Sequence, residues 1–138
     1  MRPARFQQLL LDAAATLPGA TAKPFEGGGR HPYGITVDAA GRSSRWQIVV
    51  VSAPGEKWDA ESDPAPVLGD KPTGPAMPAE LGDLAAVEHA LVAALLAADP
   101  GEIAAVDIYS ARPTPPAVGH GATLDLHDGS RMFINHAR

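Results

Sequence analysis

Cysteine is absent from this chain of 138 residues. That excludes disulfides, thiolate nucleophiles, and zinc or iron–sulfur groups held by cysteine. It is compatible with a reducing compartment, and we expect a cytoplasmic protein. Aromatic residues are scarce, at 5%, so the core must be built mainly from Ala, Val, Leu and Ile. Long apolar runs are missing as well. The most apolar window, Leu84 to Ala98, contains Glu88 and His89 and is too short to span a bilayer. The opening MRPARFQQLLLDAAATLPGA is basic and then apolar, but Gln7, Gln8 and Asp12 break the run that a signal peptide needs. No membrane partner is expected.

Clustered positive charge is also lacking. Residues 1–58 hold seven Lys/Arg and four Asp/Glu, net +3, while residues 59–138 hold four and twelve, net −8. The basic residues are scattered over helix, loop and strand, which disfavours nucleic acid. The acidic second part reads first as a solubilising surface and second as a match for a basic partner protein.

What is present fits one domain over residues 1–138. Apolar residues make up 45% and charged ones 20%, and the alanine richness fits a high-GC, bacterial genome. The 14 glycines and 14 prolines make about a fifth of the chain, so long loops are expected.

Residues 3–17 read as a helix: Pro3 suits a first turn, and Phe6, Leu10, Ala13 and Leu17 recur on one face until Pro18-Gly19. Residues 20–32 read as loop. YGITVDAAGRSSRWQIVVVS reads as a hairpin, in a register that sets Asp38 against Arg45, Val37 against Trp46 and Ile35 against Ile48. Residues 53–79 form a long Pro-rich irregular segment with Trp58 in it. Residues 80–98 read as a second helix capped near Asp83. Its apolar arc is so wide that it needs cover on two sides, from the sheet and from either the first helix and long loop or another subunit. Residues 103–111 read as a strand.

The last hairpin, HGATLDLHDGSRMFINHA, turns at Asp128-Gly129. A two-residue turn pairs His127 with Ser130. A three-residue turn pairs Leu126 with Ser130, Asp125 with Arg131 and Leu124 with Met132. The second gives a charge pair and a cleaner apolar face, so it is the preferred register. The order is then α-β-β-α-β-β-β, and the expected fold is α+β. It is a two-layer sandwich, with a mostly antiparallel sheet of about five strands and two helices on one face. No internal repeat is visible in the residues.

No motif names a reaction. Glu88 sits inside the apolar arc of the second helix, where a carboxylate must be paired or perturbed. Such a place can hold a general acid or base. The preferred reading is that Glu88 lies at the edge of coverage near the helix start or bonds an arginine such as Arg112, because one carboxylate with no second group is not a catalytic set. In the preferred register His120 faces His136, a weak candidate metal pair without supporting spacing. In EGGGRHPYG, Gly27 to Gly29 with Arg30 and His31 could cradle an anion. The stretch precedes a strand, however, so it matches neither familiar phosphate loop and reads as a joint. Trp58 anchors its loop or meets a partner.

The expectation is a non-catalytic cytoplasmic protein that binds a protein partner, as adaptor, inhibitor or assembly subunit, without a cofactor. Self-association through helix or strand edges is part of that expectation. The alternative is a small ligand- or metal-binding enzyme domain with a pocket between helices and sheet.

Overall fold

A computed structural model describes residues 1–25, 32–55 and 65–137. It contains two helices and six strands: α1 (Pro3–Ala14), β1 (Ala20–Pro24), β2 (Gly34–Ala39), β3 (Arg42–Val51), α2 (Leu84–Ala98), β4 (Ile103–Ile108), β5 (Gly121–Leu126) and β6 (Arg131–Ala137). The strands form a single antiparallel sheet in the order β1-β2-β3-β6-β5-β4. The α+β class holds. The count of about five strands and the order α-β-β-α-β-β-β are corrected to six strands in α-β-β-β-α-β-β-β. Ala20–Pro24 carries little strand signal, because ATAKP is short, ends in proline and lacks an apolar alternation. It pairs with β2 nonetheless.

The helices start and stop where local chemistry dictates. Pro3 opens α1, where its missing N–H is not needed. The Asp83 carboxylate accepts the Ala86 amide at 2.8 Å and starts α2. Each helix is shorter than its apolar periodicity suggests, since Leu17 lies in a turn beyond α1 and Leu81 lies before α2. The helices touch each other and lie on one face of the sheet. Between the layers are Phe6, Leu10, Trp46, Leu91, Leu95, Leu124, Met132 and Ile134, all buried. β4 is also shorter than expected, because Tyr109–Ala111 turn into a single 3-10 loop.

The two hairpins differ from expectation in opposite ways. The terminal one has the preferred register: Asp125 faces Arg131, Leu124 faces Met132, and the Leu126 amide bonds the Ser130 carbonyl. The first is displaced by two residues, with Asp38 opposite Ser43, Val37 opposite Ser44 and Ile35 opposite Trp46. The cause is a tight turn at Ala40-Gly41, both at positive φ (52° and 73°). That is the twist a two-residue hairpin requires, taken here with an alanine where glycine or asparagine is usual. A shift of two keeps every side chain on its own face, so Ile35, Val37 and Trp46 stay buried.

The strand order is symmetric about the β3–β6 seam, where Gln47 faces Asn135. Trp46 faces His136 on one side of that pair, and Ile48 faces Ile134 on the other. Each half is one helix followed by a three-stranded meander, and the likeness reaches individual residues. Gly34-Ile-Thr-Val-Asp38 opens β2, and Gly121-Ala-Thr-Leu-Asp125 opens β5. Gly34 faces Gln47 and Gly121 faces Asn135. Pro18-Gly19 ends the α1 region, and Pro100-Gly101 ends the α2 region. A repeat is therefore present, against the sequence reading. It was hidden because the matched residues are few and the connections between them differ in length.

The repeat has a physical core. A methyl group on Gly34 would sit 2.6 Å from the Trp46 carbonyl oxygen and 2.8 Å from the Phe25 ring. On Gly121 it would sit 2.1 Å from the Ile134 oxygen and 3.0 Å from the Tyr109 ring. In both halves an aromatic ring from the preceding strand's end covers a glycine that has no room for a side chain. An arginine lies over each ring, Arg45 over Phe25 at 5.4 Å and Arg112 over Tyr109 at 4.8 Å.

Candidate functional site

Among the described residues Glu88 is the most enclosed acidic side chain, with 1% of its surface exposed. It lies in the second turn of α2 and points at the start of β5. Its Oε2 accepts the Gly121 amide at 2.7 Å and the Ser110 amide at 3.4 Å, and its Oε1 accepts the Ser110 hydroxyl in a short contact. His89 Nδ1 stands 3.4 Å from Oε1 and 2.6 Å from the Ala85 carbonyl. A carbonyl only accepts, so Nδ1 carries the proton. The carboxylate thus has donors on both oxygens, as a buried one must.

The arginine expected beside Glu88 is elsewhere. Arg112 forks onto Asp107, at 2.9 Å from Nε and 2.5 Å from Nη2, on the exposed face. That hydrogen bond holds the Asp107 carboxyl below its ordinary range, against the opposing effect of desolvation. The reason lies in alternation: Asp107 and Tyr109 face away from the helices, and the chain then turns Ser110 inward toward Glu88.

The first half has a counterpart. Gln7 occupies the same place in α1 that Glu88 occupies in α2, and its Oε1 accepts the Gly34 amide at 2.9 Å. Each helix therefore holds the first residue of the second strand of its half through one side-chain oxygen. An amide does this once and a carboxylate once. The shared role marks Glu88 as a brace. The space beside it, about 160 Å³ among Trp46, Leu91, Val92, Gly121, Ala122 and Ile134, is nowhere wide enough for a water.

His120 and His136 are neighbours as expected: the His136 amide bonds the His120 carbonyl at 3.0 Å, and the rings are 6.3 Å apart and nearly perpendicular. Trp46 lies edge-on to His136 at 5.3 Å. Among the described residues no third histidine or carboxylate joins them in a ligand set. Arg30, His31 and Trp58 lie outside the described residues. Sequence reading missed His89, Ser110 and Gln7. Gln7 carries no signal of its own, and only the comparison with Glu88 picks it out.

Residues 65–83, the described end of the long segment and the approach to α2, have no helix or strand. It runs along α2, and Gly74 leaves room for Leu96. The second side of α2 is thus covered within the chain, by α1 and this strap. Val67, Leu68 and Met77 remain 48%, 59% and 48% exposed on it.

Among the described residues no helix is long and apolar enough to cross a membrane. Comparison with protein-family models, with curated proteins and with solved structures returns no match.

Proposed function

We propose that this protein is a small, non-catalytic binding module for a protein partner, acting in the cytoplasm as an adaptor, inhibitor or assembly subunit. The observation that carries this reading is the strap. An extended, proline-rich segment is fastened to the body at Gly69, Asp70 and Gly74, yet presents Val67, Leu68 and Met77 outward. A segment held extended in advance loses little conformational freedom on binding, and exposed aliphatic side chains supply the contact. The acidic second part adds a preference for a basic partner. The enzyme alternative asks for a pocket between helices and sheet, where the space beside Glu88 excludes even water.

The test is an affinity pull-down from the native host with the tagged chain, beside the double variant Val67→Asp/Leu68→Asp. One or more proteins retained by the native sequence and lost from the variant support the proposal. No protein retained, with a metabolite or metal bound to the purified chain, reverses it in favour of the enzyme reading.

A further inference from the structure

The two Pro-Gly turns differ in one respect. At Pro100-Gly101, where α2 leads into β4, an extended stretch of this same chain is seated. The Gly69 amide donates to the Gly101 carbonyl at 2.9 Å, and His127 Nε2 donates to the Asp70 carbonyl at 2.9 Å. The fit is close: a methyl on Gly101 would lie 2.9 Å from the Gly69 oxygen, and one on Gly69 would overlap the His127 ring. At Pro18-Gly19, where α1 leads into β1, no described residue takes the corresponding place on the turn, although residues 77–82 of the strap pass beside it. Gly19 also has positive φ, 72°, yet a methyl there would meet nothing within 4 Å. The space is a cleft of about 380 Å³ whose wall includes Leu17, Ala40, Met77, Pro78 and Leu81, with the carboxylate-bearing Glu80 among them.

We propose that this open cleft seats an extended segment of a partner polypeptide, as its twin seats Gly69-Asp70. The occupant follows from the internal repeat. The same turn, at the equivalent end of the equivalent helix, already binds extended chain through a backbone carbonyl, and the Gly19 carbonyl is the counterpart acceptor. Strand-like and extended ligands are held in this way through main-chain bonds, with pockets choosing the side chains. The choice differs between the two ends. His127 in the hairpin turn beside Gly101 restricts the seated residue to glycine. The first hairpin turns at Ala40-Gly41, a residue shorter and without a ring. The open cleft therefore admits a side chain, and its mostly aliphatic lining selects Leu, Ile or Met. Half-exposed Met77 at its mouth is a thioether able to adjust to that side chain. The size falls in the range of pockets that take a side chain or small ligand.

This inference rests on the partner-binding reading, and its test separates the two. The probes are the acetylated, amidated hexapeptide Pro-Val-Leu-Gly-Asp-Lys, which repeats residues 66–71, and the same peptide with leucine in place of its glycine. Each is titrated into the ¹⁵N-labelled full chain. The expected result is saturable shifts of the Gly19, Ala40 and Gly82 amides, with the leucine peptide binding about 5-fold tighter because its side chain is buried. Met77→Glu, a change at an exposed position, should abolish both titrations while leaving the rest of the spectrum in place. Shifts spread elsewhere, no shifts at millimolar peptide, or titrations unchanged in Met77→Glu overturn the proposal. So does a second copy of the chain filling the cleft, seen as a dimer that Met77→Glu dissociates. A pull-down partner held equally by Met77→Glu leaves partner binding standing and removes the cleft. Peptide shifts without any partner do the reverse.

Discussion

The two halves of this molecule share a frame and fasten it differently. In the first, α1 meets its own half through Phe6, Leu10 and a neutral contact, Gln7 to the Gly34 amide, while its Arg5 forks onto Glu102 of the other half at 3.0 and 2.7 Å. In the second, the corresponding contact is a buried carboxylate, Glu88, with Ser110, Gly121 and His89 around it. The edges differ too. β1 ends in Lys23 and Pro24, which discourage a further strand, while β4 is interrupted by a bulge between Ile103 and Ala105. The lesson is that the geometry to be satisfied, a glycine amide at the start of a middle strand, is fixed by the fold. The chemical group that satisfies it is free to vary.

The largest test of that comparison is at Glu88. Glu88→Ala leaves the Gly121 and Ser110 donors buried and unmet, and should cost about 4 kcal/mol in urea unfolding. If the carboxylate is only a brace, Glu88→Gln should retain more than half of that, because its twin is an amide. A Gln variant as damaging as Ala would show that charge matters here and would end the equivalence. Next come the glycines. Gly121→Ala should cost about 3 kcal/mol, and more than Gly34→Ala, since Gly121 has the closer carbonyl and a φ of 143°. Equal losses would mean that the aromatic lid alone sets the penalty.

These features were unequally legible in the sequence. The helices, the terminal hairpin and the burial of Glu88 follow from apolar spacing, an Asp-Gly turn and the Asp125–Arg131 charge pair. β1 could not be read, because an edge strand needs little apolar content and ATAKP has little. The register of the first hairpin could not either, since it depends on Ala40 adopting a conformation that alanine seldom takes. The repeat escaped because what it preserves is spatial. Phe25 and Tyr109 correspond only through the glycines that they cover, and different loops separate each pair.

A smaller effect is expected at Asp99, which accepts the Glu102 and Ile103 amides at 3.0 Å each and has no polar counterpart at Leu17. Asp99→Ala should cost about 2 kcal/mol by thermal melting, while Leu17→Ala should act only through lost packing. The smallest is at Asp128. Burial alone would raise its carboxyl, but the hydroxyl and amide of Ser130 and the ammonium of Met1 hold it below the ordinary range. The folded state is then stabilised above the ordinary carboxylate pKa of about 4, and that stabilisation is lost as pH falls through the lowered value. Asp128→Asn should flatten the fall in stability below pH ~4 and change stability at neutral pH by less than ~1 kcal/mol. An unchanged acid limb would show that other carboxylates control it.

The seam at Gln47 and Asn135 also bears on how the chain reaches this state. Within each half, strand neighbours are consecutive in the chain, two of the four joins being tight hairpin turns, and they close over comparatively little chain. The seam brings together residues that are far apart in sequence, and closing it carries the greater loss of chain entropy. Two meanders forming early and zipping together late is the order this topology favours. The β3 and β6 amides that bond across the seam would then be the last to gain protection in pulsed hydrogen exchange.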